Sequence, residues 1–255
     1  MEEEAGVLLV ERSTRTMRLT PAGEVFLREG ISTLKAYDSL MIKTRQSAPL
    51  VEGEFSIAYP YYYASSYLSA PLDLFNSKYP HIKVNLTPIQ PQEVKGALSG
   101  NTADISIDAV CPFQKTISPH LISHEVGSEG FCICVAETNP LAQQPFIEPS
   151  DLEGFPLITA DGYDPHRNFV DTYLSLAGIQ PPATIPCNNV ELIYSQVISN
   201  NGYAFRMDKS GRRPHGGICY VPLQSNLRAH VHFIARSDNA NPAVAHFFGL
   251  LREHF

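Results

Sequence analysis

Alternating strand-like and helical patterns are the feature that most restricts the folds open to this chain. Apolar residues with the spacing of strands occur at 55–59, 82–86 and 103–107, and helical spacing occurs at 67–78 and 92–98. Strands that alternate with helices in this way pair mainly in parallel, and the helices cover both faces of the sheet. This part of the chain is therefore expected to form an α/β unit.

A second unit of the same kind follows further along the chain. Two strand-like runs at 121–125 and 130–135 lie next to each other in sequence, and the alternation then begins again. The later predicted strands are 156–159, 183–186, 218–222 and 230–235, and the later predicted helices are 166–176, 190–199 and 243–252. Gly178 is expected to end the first of these helices. The order predicts one α/β lobe, a crossing to a second lobe, and a return to the first.

Length and charge restrict the classes of protein to which the chain can belong. At 255 residues, of which 44% are hydrophobic, it exceeds one typical domain and can bury a sizeable core. Residues 1–47 hold seven acidic and seven basic residues, so the net charge of −7 comes entirely from residues 48–255. Because an acidic body binds phosphate poorly, any contact with nucleic acid is expected near the N-terminus.

The sequence carries no signal for a membrane span or for secretion. No run approaches the roughly 18 consecutive apolar residues that a transmembrane helix needs. Met1 is followed by three glutamates, which is the opposite of the basic start of a signal peptide. A soluble, cytoplasmic protein with no membrane partner is expected.

Five cysteines, an odd number, do not predict a disulfide framework. They are Cys111, Cys132, Cys134, Cys187 and Cys219. Cys132 and Cys134 alternate within a strand-like run, so both side chains are expected on one face of a sheet, and no second ligand pair follows at zinc spacing. Buried structural thiols are predicted, with a redox or metal-binding role as the alternative.

A short basic hairpin precedes a long helix near the N-terminus. Two apolar runs flank a polar turn, and Arg12, Arg15 and Arg18 lie within seven residues that contain no acid. Thr20 and Pro21 then supply an N-cap and a first helical residue. The hairpin is therefore the candidate contact with phosphate.

The helix predicted at 20–46 carries a narrow apolar stripe. The stripe consists of Leu27, Ile31, Leu34 and Met41, with Phe26, Tyr37 and Leu40 beside it. Such a seam on a long helix favours pairing with a partner helix, and packing on its own domain is the alternative. Residues 47–53 then interrupt the helix and are expected to form a hinge between domains.

The hairpin and helix resemble the wing and linker helix of LysR-type transcriptional regulators, whose pattern includes the string Leu-Thr-Pro-Ala-Gly-Glu found here at 19–24. Fragments at 72–84, 103–107, 139–142 and 150–152 are similar to the effector-binding domain of that family. The resemblance implies an α/β fold with two lobes, like that of type 2 periplasmic binding proteins, preceded by a wing hairpin remnant and a long linker helix.

The resemblance also implies a division into domains. The wing remnant of a winged helix-turn-helix is expected at 1–19, the linker or dimerisation helix at 20–47, and the effector-binding domain at 52–255. Within the last, lobe I is expected at about 52–130 and 231–255, and lobe II at about 131–230.

Two departures from the family pattern stand out. In the family, a run of the form V..G.Gia.lP usually closes the helix that is predicted here at 190–199. This chain keeps Gly202 but lacks the other glycine and the proline of that run. Arg206 and a basic loop at 209–213 follow. In the family a helix-turn-helix precedes the wing, whereas here Met1 stands in its place. Specific operator binding by this chain is not expected, because wing arginines mainly contact phosphate or the minor groove. A truncated chain, a misassigned start codon and a natural remnant are the alternatives.

The resemblance implies a transcriptional regulator that senses a small-molecule effector in a cleft between the lobes and controls DNA binding. An effector would shift the angle between the lobes by its differential affinity for two arrangements. The implied partners are the effector, DNA in the full-length form, contacted through Arg12, Arg15 and Arg18, and further copies in a homo-dimer or tetramer. No cofactor is implied. A DNA-independent small-molecule binder, either a sensor remnant or a solute-binding protein, is the main alternative.

The effector is expected beyond the carboxyl ends of the strands, where the N-termini of helices offer N–H groups. The candidate effector-binding residues are Tyr62, Tyr63, Ser65, Ser66, Gln90, Asp108, Ala109, Phe131, Tyr163 and Asn189. The resemblance aligns Tyr62 with a small hydroxyl residue and Ala109 with a residue that is often basic. An acid and several aromatic rings favour a cation or an uncharged ring over a dicarboxylate.

An enzyme is the least favoured class. The sequence contains no GxSxG, no HExxH and no glycine-rich phosphate loop. His120 and His124 are four residues apart but flank a strand-like run rather than a helix, so they do not predict a metal site. His230 and His232 alternate on a strand, which makes one of them a candidate for the cleft. No catalytic residue and no metal ligand is therefore predicted.

Overall fold

The computed structural model describes residues 1–12, 17–46, 52–113, 120–160, 165–187, 190–212 and 214–255. The α-helices are α1 (Glu2–Ala5), α2 (Pro21–Gln46), α3 (Ser69–Lys78), α4 (Val94–Ser99), α5 (Pro165–Ala177), α6 (Val190–Asn200) and α7 (Pro242–His254). The strands are β1 (Val10–Arg12), β2 (Met17–Leu19), β3 (Gly53–Pro60), β4 (Ile82–Ile89), β5 (Ile105–Val110), β6 (Leu121–Glu129), β7 (Phe131–Ala136), β8 (Leu157–Ala160), β9 (Thr184–Cys187), β10 (Tyr203–Met207), β11 (Ile218–Pro222) and β12 (Ala229–Arg236). The predicted helices and strands are present within a few residues of their expected bounds, whereas α1 and β10 were not predicted.

Two five-stranded sheets form the body of the protein. The first has the strand order β4-β3-β5-β12-β6 and, with α3, α4 and α7, is called lobe I here. The second has the order β11-β7-β10-β8-β9 and, with α5 and α6, is called lobe II. The β1–β2 hairpin and α2 precede both lobes.

The parallel pairing predicted for the first three strands of lobe I is confirmed, whereas each complete sheet is mixed. In lobe I, β3 is parallel to β4 and β5, but β12 is antiparallel to both of its neighbours. In lobe II, β8 is parallel to β9 and β10, but β7 is antiparallel to β10 and β11. β7 is the strand with which the chain enters lobe II and β12 the strand with which it returns to lobe I, and each runs antiparallel to both of its neighbours.

Two crossings join the lobes and are together called the hinge here. Gly130 alone separates the end of β6 in lobe I from the start of β7 in lobe II. Residues 223–228 return the chain from β11 to β12. The two adjacent strand-like runs seen in the sequence therefore belong to different sheets.

Short polar contacts explain the residues at the start of α2. The Oγ1 atom of Thr20 accepts a hydrogen bond from the N–H of Gly23 at 2.9 Å and donates one to the carbonyl oxygen of Leu8 at 2.7 Å. Pro21 occupies the first helical position, where no N–H is required. A Cβ atom at Gly23 would overlap the carbonyl oxygen of Leu9, which accepts the N–H of Thr20 at 3.0 Å. Glycine at 23 thus lets the hairpin lie directly on the helix.

The apolar stripe of α2 is largely exposed. Phe26, Leu27, Ile31, Leu34, Tyr37 and Leu40 retain between 42% and 60% of their accessible surface. The helix also approaches α7 of lobe I, so part of it packs within the chain. No helix among the described residues is long and apolar enough to cross a membrane.

Aromatic rings dominate the interior of both lobes. In lobe I, the ring centroids of Phe55, Phe75 and Phe247 lie 5.3 to 5.5 Å from one another. In lobe II, Phe131 at the start of β7 stacks on Phe169 of α5 with the centroids 4.0 Å apart. Burial of such rings is a large favourable contribution to folding and fixes each helix on its sheet.

The cysteines are free thiols, as predicted. Cys111, Cys132, Cys134 and Cys187 are buried, and Cys219 is half-buried. Burial raises the pKa of the Cys132 thiol to about 11 and that of Cys134 to about 12. Because thiols react as thiolates, these two side chains behave as small apolar groups of the core.

Candidate functional site

A cavity lies between the two lobes, at the carboxyl ends of β8 and β10. Lobe I contributes Tyr62 and Pro91 to its lining. The lining from lobe II consists of Leu157, Ile158, Thr159, Arg167, Val170, Ile193, Phe205, Arg206, Met207, Ser210 and Gly211. The space free of atoms is about 580 Å³ and includes a part open to solvent.

An irregular turn after β3 places Tyr62 in the cavity. A short 3₁₀ segment, Tyr61–Tyr63, is followed by a wide π-helical turn, Ala64–Leu68, before the regular helix α3 begins. Tyr62 is 8% exposed, and its ring packs edge-on against Tyr61 and Tyr63 with centroids 5.6 and 4.5 Å away. Tyr63 lies in the core instead, where burial raises the pKa of its phenol.

Arg206 of β10 is one of the lining residues from lobe II. Its Nε–H donates to the carbonyl oxygen of Gly211 at 3.2 Å. Its guanidinium carbon lies 5.9 Å from the ring centroid of Tyr194 on α6, within the range of a cation–π contact. These two contacts restrict the plane and the position of the group.

A second guanidinium group belongs to Arg167, in the first turn of α5. Its Nε–H contacts both carboxylate oxygens of Asp171, at 2.9 and 2.8 Å, one turn further along the helix. The first turn of α6 also borders the cavity, through Ile193. Two helix N-termini, each with the partial positive charge of the helix dipole, therefore lie beside the cavity.

A buried carboxylate fixes the loop that follows β10. Glu129, the last residue of β6, is fully buried and accepts the backbone N–H groups of Lys209 and Ser210, each at 2.8 Å. It also accepts the hydroxyl of Ser210 at 2.7 Å. These three donors offset the desolvation of a buried charge. A carboxylate at the hinge of lobe I thus holds a lobe II loop that lines the cavity.

The loop turns too tightly for most residues at Gly211. A Cβ atom there would lie 2.6 Å from both the backbone nitrogen and the carbonyl oxygen of Met207. Glycine at this position lets the loop fold back on the end of β10, which brings Ser210 and Arg206 to the same side of the cavity.

Of the predicted effector residues that the structure describes, Tyr62 lies in the lining. Tyr63 is buried in the core, and Ser66 is exposed. The side chain of Ser65 lies outside the described residues, as do Tyr163 and Asn189 in full. Whether Tyr62 contacts an effector stays a prediction.

Three further candidates have other positions. Gln90 caps the short turn Pro91–Glu93, with its N–H donating to Glu93 at 2.6 Å, so its neighbour Pro91 reaches the cavity instead. Ala109 is buried in β5, and Phe131 lies in the core against Phe169.

Asp108 does not supply a negative charge to the cavity lining. Its Oδ1 atom accepts the N–H of Ala109 at 2.8 Å, and no carboxylate occurs among the described lining residues. His230 and His232 are also absent from the lining, and Nδ1 of His230 lies 2.8 Å from Glu125. The described part of the chain contains no group of three or more His, Cys, Asp or Glu side chains that could hold a metal ion.

Sequence reasoning missed most of the lobe II lining. Thr159 is the last residue of a predicted strand. Because ligands are expected at the carboxyl ends of strands, Thr159 could have been chosen rather than residues 161–163. Arg206 and Met207 stood in the run that departs from the family pattern but were not assigned to the site. Arg167 and Ser210 carried no signal that sets them apart from surface residues.

The basic hairpin is present, with β1 antiparallel to β2 and Val10 opposite Leu19. Arg18 is exposed on β2, opposite Glu11. Arg12 belongs to β1, but its side chain and the whole of Arg15 lie outside the described residues. Contact of these arginines with DNA stays a prediction.

Comparison with known proteins gives the family. The pattern described as the LysR substrate binding domain matches residues 49–255. The chain belongs to the LysR family. The resemblance of the chain to the LysR family is thereby confirmed.

Relatives and solved structures of LysR proteins cover nearly the whole chain. The HTH-type transcriptional regulator AlsR of Bacillus subtilis (strain 168) is 24% identical over 251 residues, which is 97% of this chain and 82% of AlsR. Full-length CbnR, solved with its target DNA, has a TM-score of 0.62 and 20% identity over 99% of this chain and 85% of CbnR. The BenM effector binding domain, solved with its effector benzoate, has a TM-score of 0.64 and 15% identity over 80% of this chain and 92% of the domain.

These likenesses confirm the expected fold of a LysR effector-binding domain, with two α/β lobes. The LysR relatives are transcriptional regulators, which agrees with a protein that is not an enzyme.

Proposed function

We propose that this chain is the sensing part of a LysR-type transcriptional regulator, with a small-molecule effector bound in the cavity between its lobes. The observation that supports this most is the position of the cavity. Tyr62 and Pro91 reach it from lobe I and all other lining residues from lobe II, beside the two crossings that join the lobes. A ligand that contacts both lobes there favours one angle between them over another.

The regulatory step is a shift between two lobe arrangements. The effector moves this equilibrium only by its differential affinity for the two arrangements. The linker helix α2, which approaches α7 of lobe I, carries the change toward the basic hairpin and the DNA. In this proposal Arg12, Arg15 and Arg18 contact the DNA phosphates, and the domains have the bounds expected from the sequence, 1–19, 20–47 and 52–255.

Sensing is tested by a thermal-shift screen of small molecules on the purified chain. Compounds that raise the melting temperature should lose their effect in the Tyr62→Ala variant, because Tyr62 is the aromatic side chain that lobe I contributes to the cavity. Phe146→Ala is the control, since Phe146 is an aromatic residue that is 42% exposed and lies outside the described lining. Stabilising compounds that bind both variants equally would place the effector elsewhere.

The proposed assembly is a homo-dimer or tetramer joined through the exposed stripe of α2. A glutamate at Ile31 or Leu34 places a charge in that seam and should yield monomers in size-exclusion chromatography with light scattering. Ser32→Glu adds the same charge on the opposite side of the helix and should leave the assembly intact. An assembly that tolerates Ile31→Glu and Leu34→Glu would show that α2 does not mediate pairing.

A further inference from the structure

We infer that the effector is a small organic anion with an apolar body, and that Arg206 is the residue that selects it. The inference rests on the proposed effector cavity and adds the chemical class of the ligand. It replaces the expectation of a cation or an uncharged ring, which depended on a carboxylate from Asp108.

The charged side chains of the described lining are arginines. Arg167 and Arg206 are lining residues, whereas no Asp or Glu is among the described lining residues. Asp171 lies outside the lining and offsets the charge of Arg167, because its two carboxylate oxygens lie 2.8 and 2.9 Å from Nε of that arginine. A cationic ligand in this space would face the like charge of Arg206, which is unfavourable where solvent is partly excluded.

Arg206 stands at a position where the sequence departs from the family pattern. In the run V..G.Gia.lP, it takes the apolar position before the proline, and Met207 takes the place of the proline itself. The departure therefore replaces an apolar side chain at the cavity by a permanent cation.

The arginine is held in place before any ligand binds. The bond from Nε to the Gly211 carbonyl oxygen, at 3.2 Å, and the contact with the Tyr194 ring, at 5.9 Å, restrict the guanidinium. The loop that carries Gly211 is held in turn by Glu129, through the hydrogen bonds at Lys209 and Ser210. A cation fixed in this way loses little conformational entropy when it binds an anion.

The helices add to the preference for an anion. The first turns of α5 and α6, helices of 13 and 11 residues, border the cavity through Arg167 and Ile193. The N-terminus of a helix carries a partial positive charge and favours nearby negative charge.

The remaining walls require an apolar body on the ligand. They are formed by Pro91, Leu157, Ile158, Val170, Ile193, Phe205 and Met207. Thr159 and Ser210 add hydroxyl groups to the lining. An inorganic anion would leave most of this apolar surface without a partner, whereas a ring or short aliphatic body with one carboxylate matches both the apolar walls and the arginine.

Matched probes that differ only in charge test the inference. Benzoate, phenylacetate and cyclohexanecarboxylate, with the amide and the amidine of each, are titrated calorimetrically into the purified chain. The carboxylates should bind about tenfold or more tightly than the amides, the amount expected for one charge-assisted hydrogen bond, and the amidines should bind least.

Variants of Arg206 test its role. Arg206→Gln should weaken carboxylate binding by about tenfold or more and should remove the preference for carboxylates over amides. Arg206→Lys should keep part of the carboxylate affinity and part of that preference. Arg236→Gln removes the same charge at a residue outside the described lining and should bind as the unmodified chain does. Melting temperatures without ligand show whether each variant is folded. If Arg206→Gln is not folded, the carboxylate affinity of Arg206→Lys is compared with that of the unmodified chain instead.

Each result contrary to these expectations refutes a specific part of the inference. Tighter binding of amides or amidines than of carboxylates refutes the anion class and leaves the cavity as the effector site. Unchanged carboxylate binding by folded Arg206→Gln refutes the role of Arg206. No binding by any of the nine probes refutes the anion class as stated, and if the thermal-shift screen also finds no ligand that depends on Tyr62, the proposed function fails as well.

Discussion

Two glycines of α2 allow a matched test of how the hairpin is held on the helix. Gly30 has no atom within 4 Å of the position that a Cβ would take, so Gly30→Ala should stabilise the helix by about 1 kcal/mol through its propensity alone. The same change at Gly23 would drive a Cβ into the carbonyl oxygen of Leu9. The two substitutions are chemically identical, so any difference between them measures the contact with the hairpin.

The magnitude follows from what must separate to relieve the overlap. Moving Leu9 away breaks the hydrogen bond from the N–H of Thr20, which contributes about 0.5–1.5 kcal/mol. It also exposes the Leu9 side chain, now 7% exposed, with a loss of about 1.5–3 kcal/mol if exposure becomes complete. After the gain in propensity, Gly23→Ala should weaken docking of the hairpin by about 1–3 kcal/mol.

Hydrogen exchange at the backbone amide of Thr20 is the direct assay, because that amide donates to Leu9. Its exchange should become about tenfold faster, or more, in Gly23→Ala, and should not become faster in Gly30→Ala. Equal exchange of this amide in the two variants would mean that the close approach at Gly23 does not hold the hairpin, and the physical reading of the Thr-Pro-Ala-Gly string would be wrong.

Two further predictions concern the lobes. Burial is the main cause that lowers the pKa of His124 and His232 in the folded protein, so the unfolded chain takes up protons first as the pH falls. The free energy of unfolding should therefore decline as the pH falls below about 6.5. In the double variant His124→Gln, His232→Gln, the free energy from urea unfolding should depend less on pH between about pH 5 and 7. An equally steep pH dependence in this variant would contradict the prediction. At Gly202 a Cβ would lie 2.6 Å from a backbone carbonyl oxygen, so Gly202→Ala should cost about 1–3 kcal/mol in urea unfolding. Gly96→Ala, which meets nothing within 4 Å, is the control, and equal midpoints would refute the close approach.

Local patterns were sufficient for much of the fold. The period of apolar residues located the strands and helices of both lobes, and Gly178 has the positive φ of 72° expected of a residue that ends a helix. The direction of β7 and β12 was not accessible in the same way, because period and propensity do not encode whether a strand runs with or against its neighbours. Only the path of the chain between the lobes sets that direction.

The cavity was harder to predict than the fold. Tyr62 was found because it directly follows a strand of lobe I, where the carboxyl-end rule applies. Arg206 and Phe205 were missed as site residues because β10 was not recognised as a strand, and Arg167 because it lies on a helix. These residues come together only through packing of segments that are far apart in sequence.

The hydrogen bonds of Glu129 connect the crossing between the lobes to a loop that lines the cavity. If the lobes rotated about the crossing while the loop at Lys209 and Ser210 stayed behind, three hydrogen bonds to a fully buried charge would break. These bonds tie the loop to the end of β6, so a change in the angle between the lobes would also displace a wall of the cavity. If an effector binds there as proposed, thermodynamic reciprocity applies. A contact outside the cavity that favours one angle would then alter the affinity for the effector by the same factor with which the effector alters the strength of that contact.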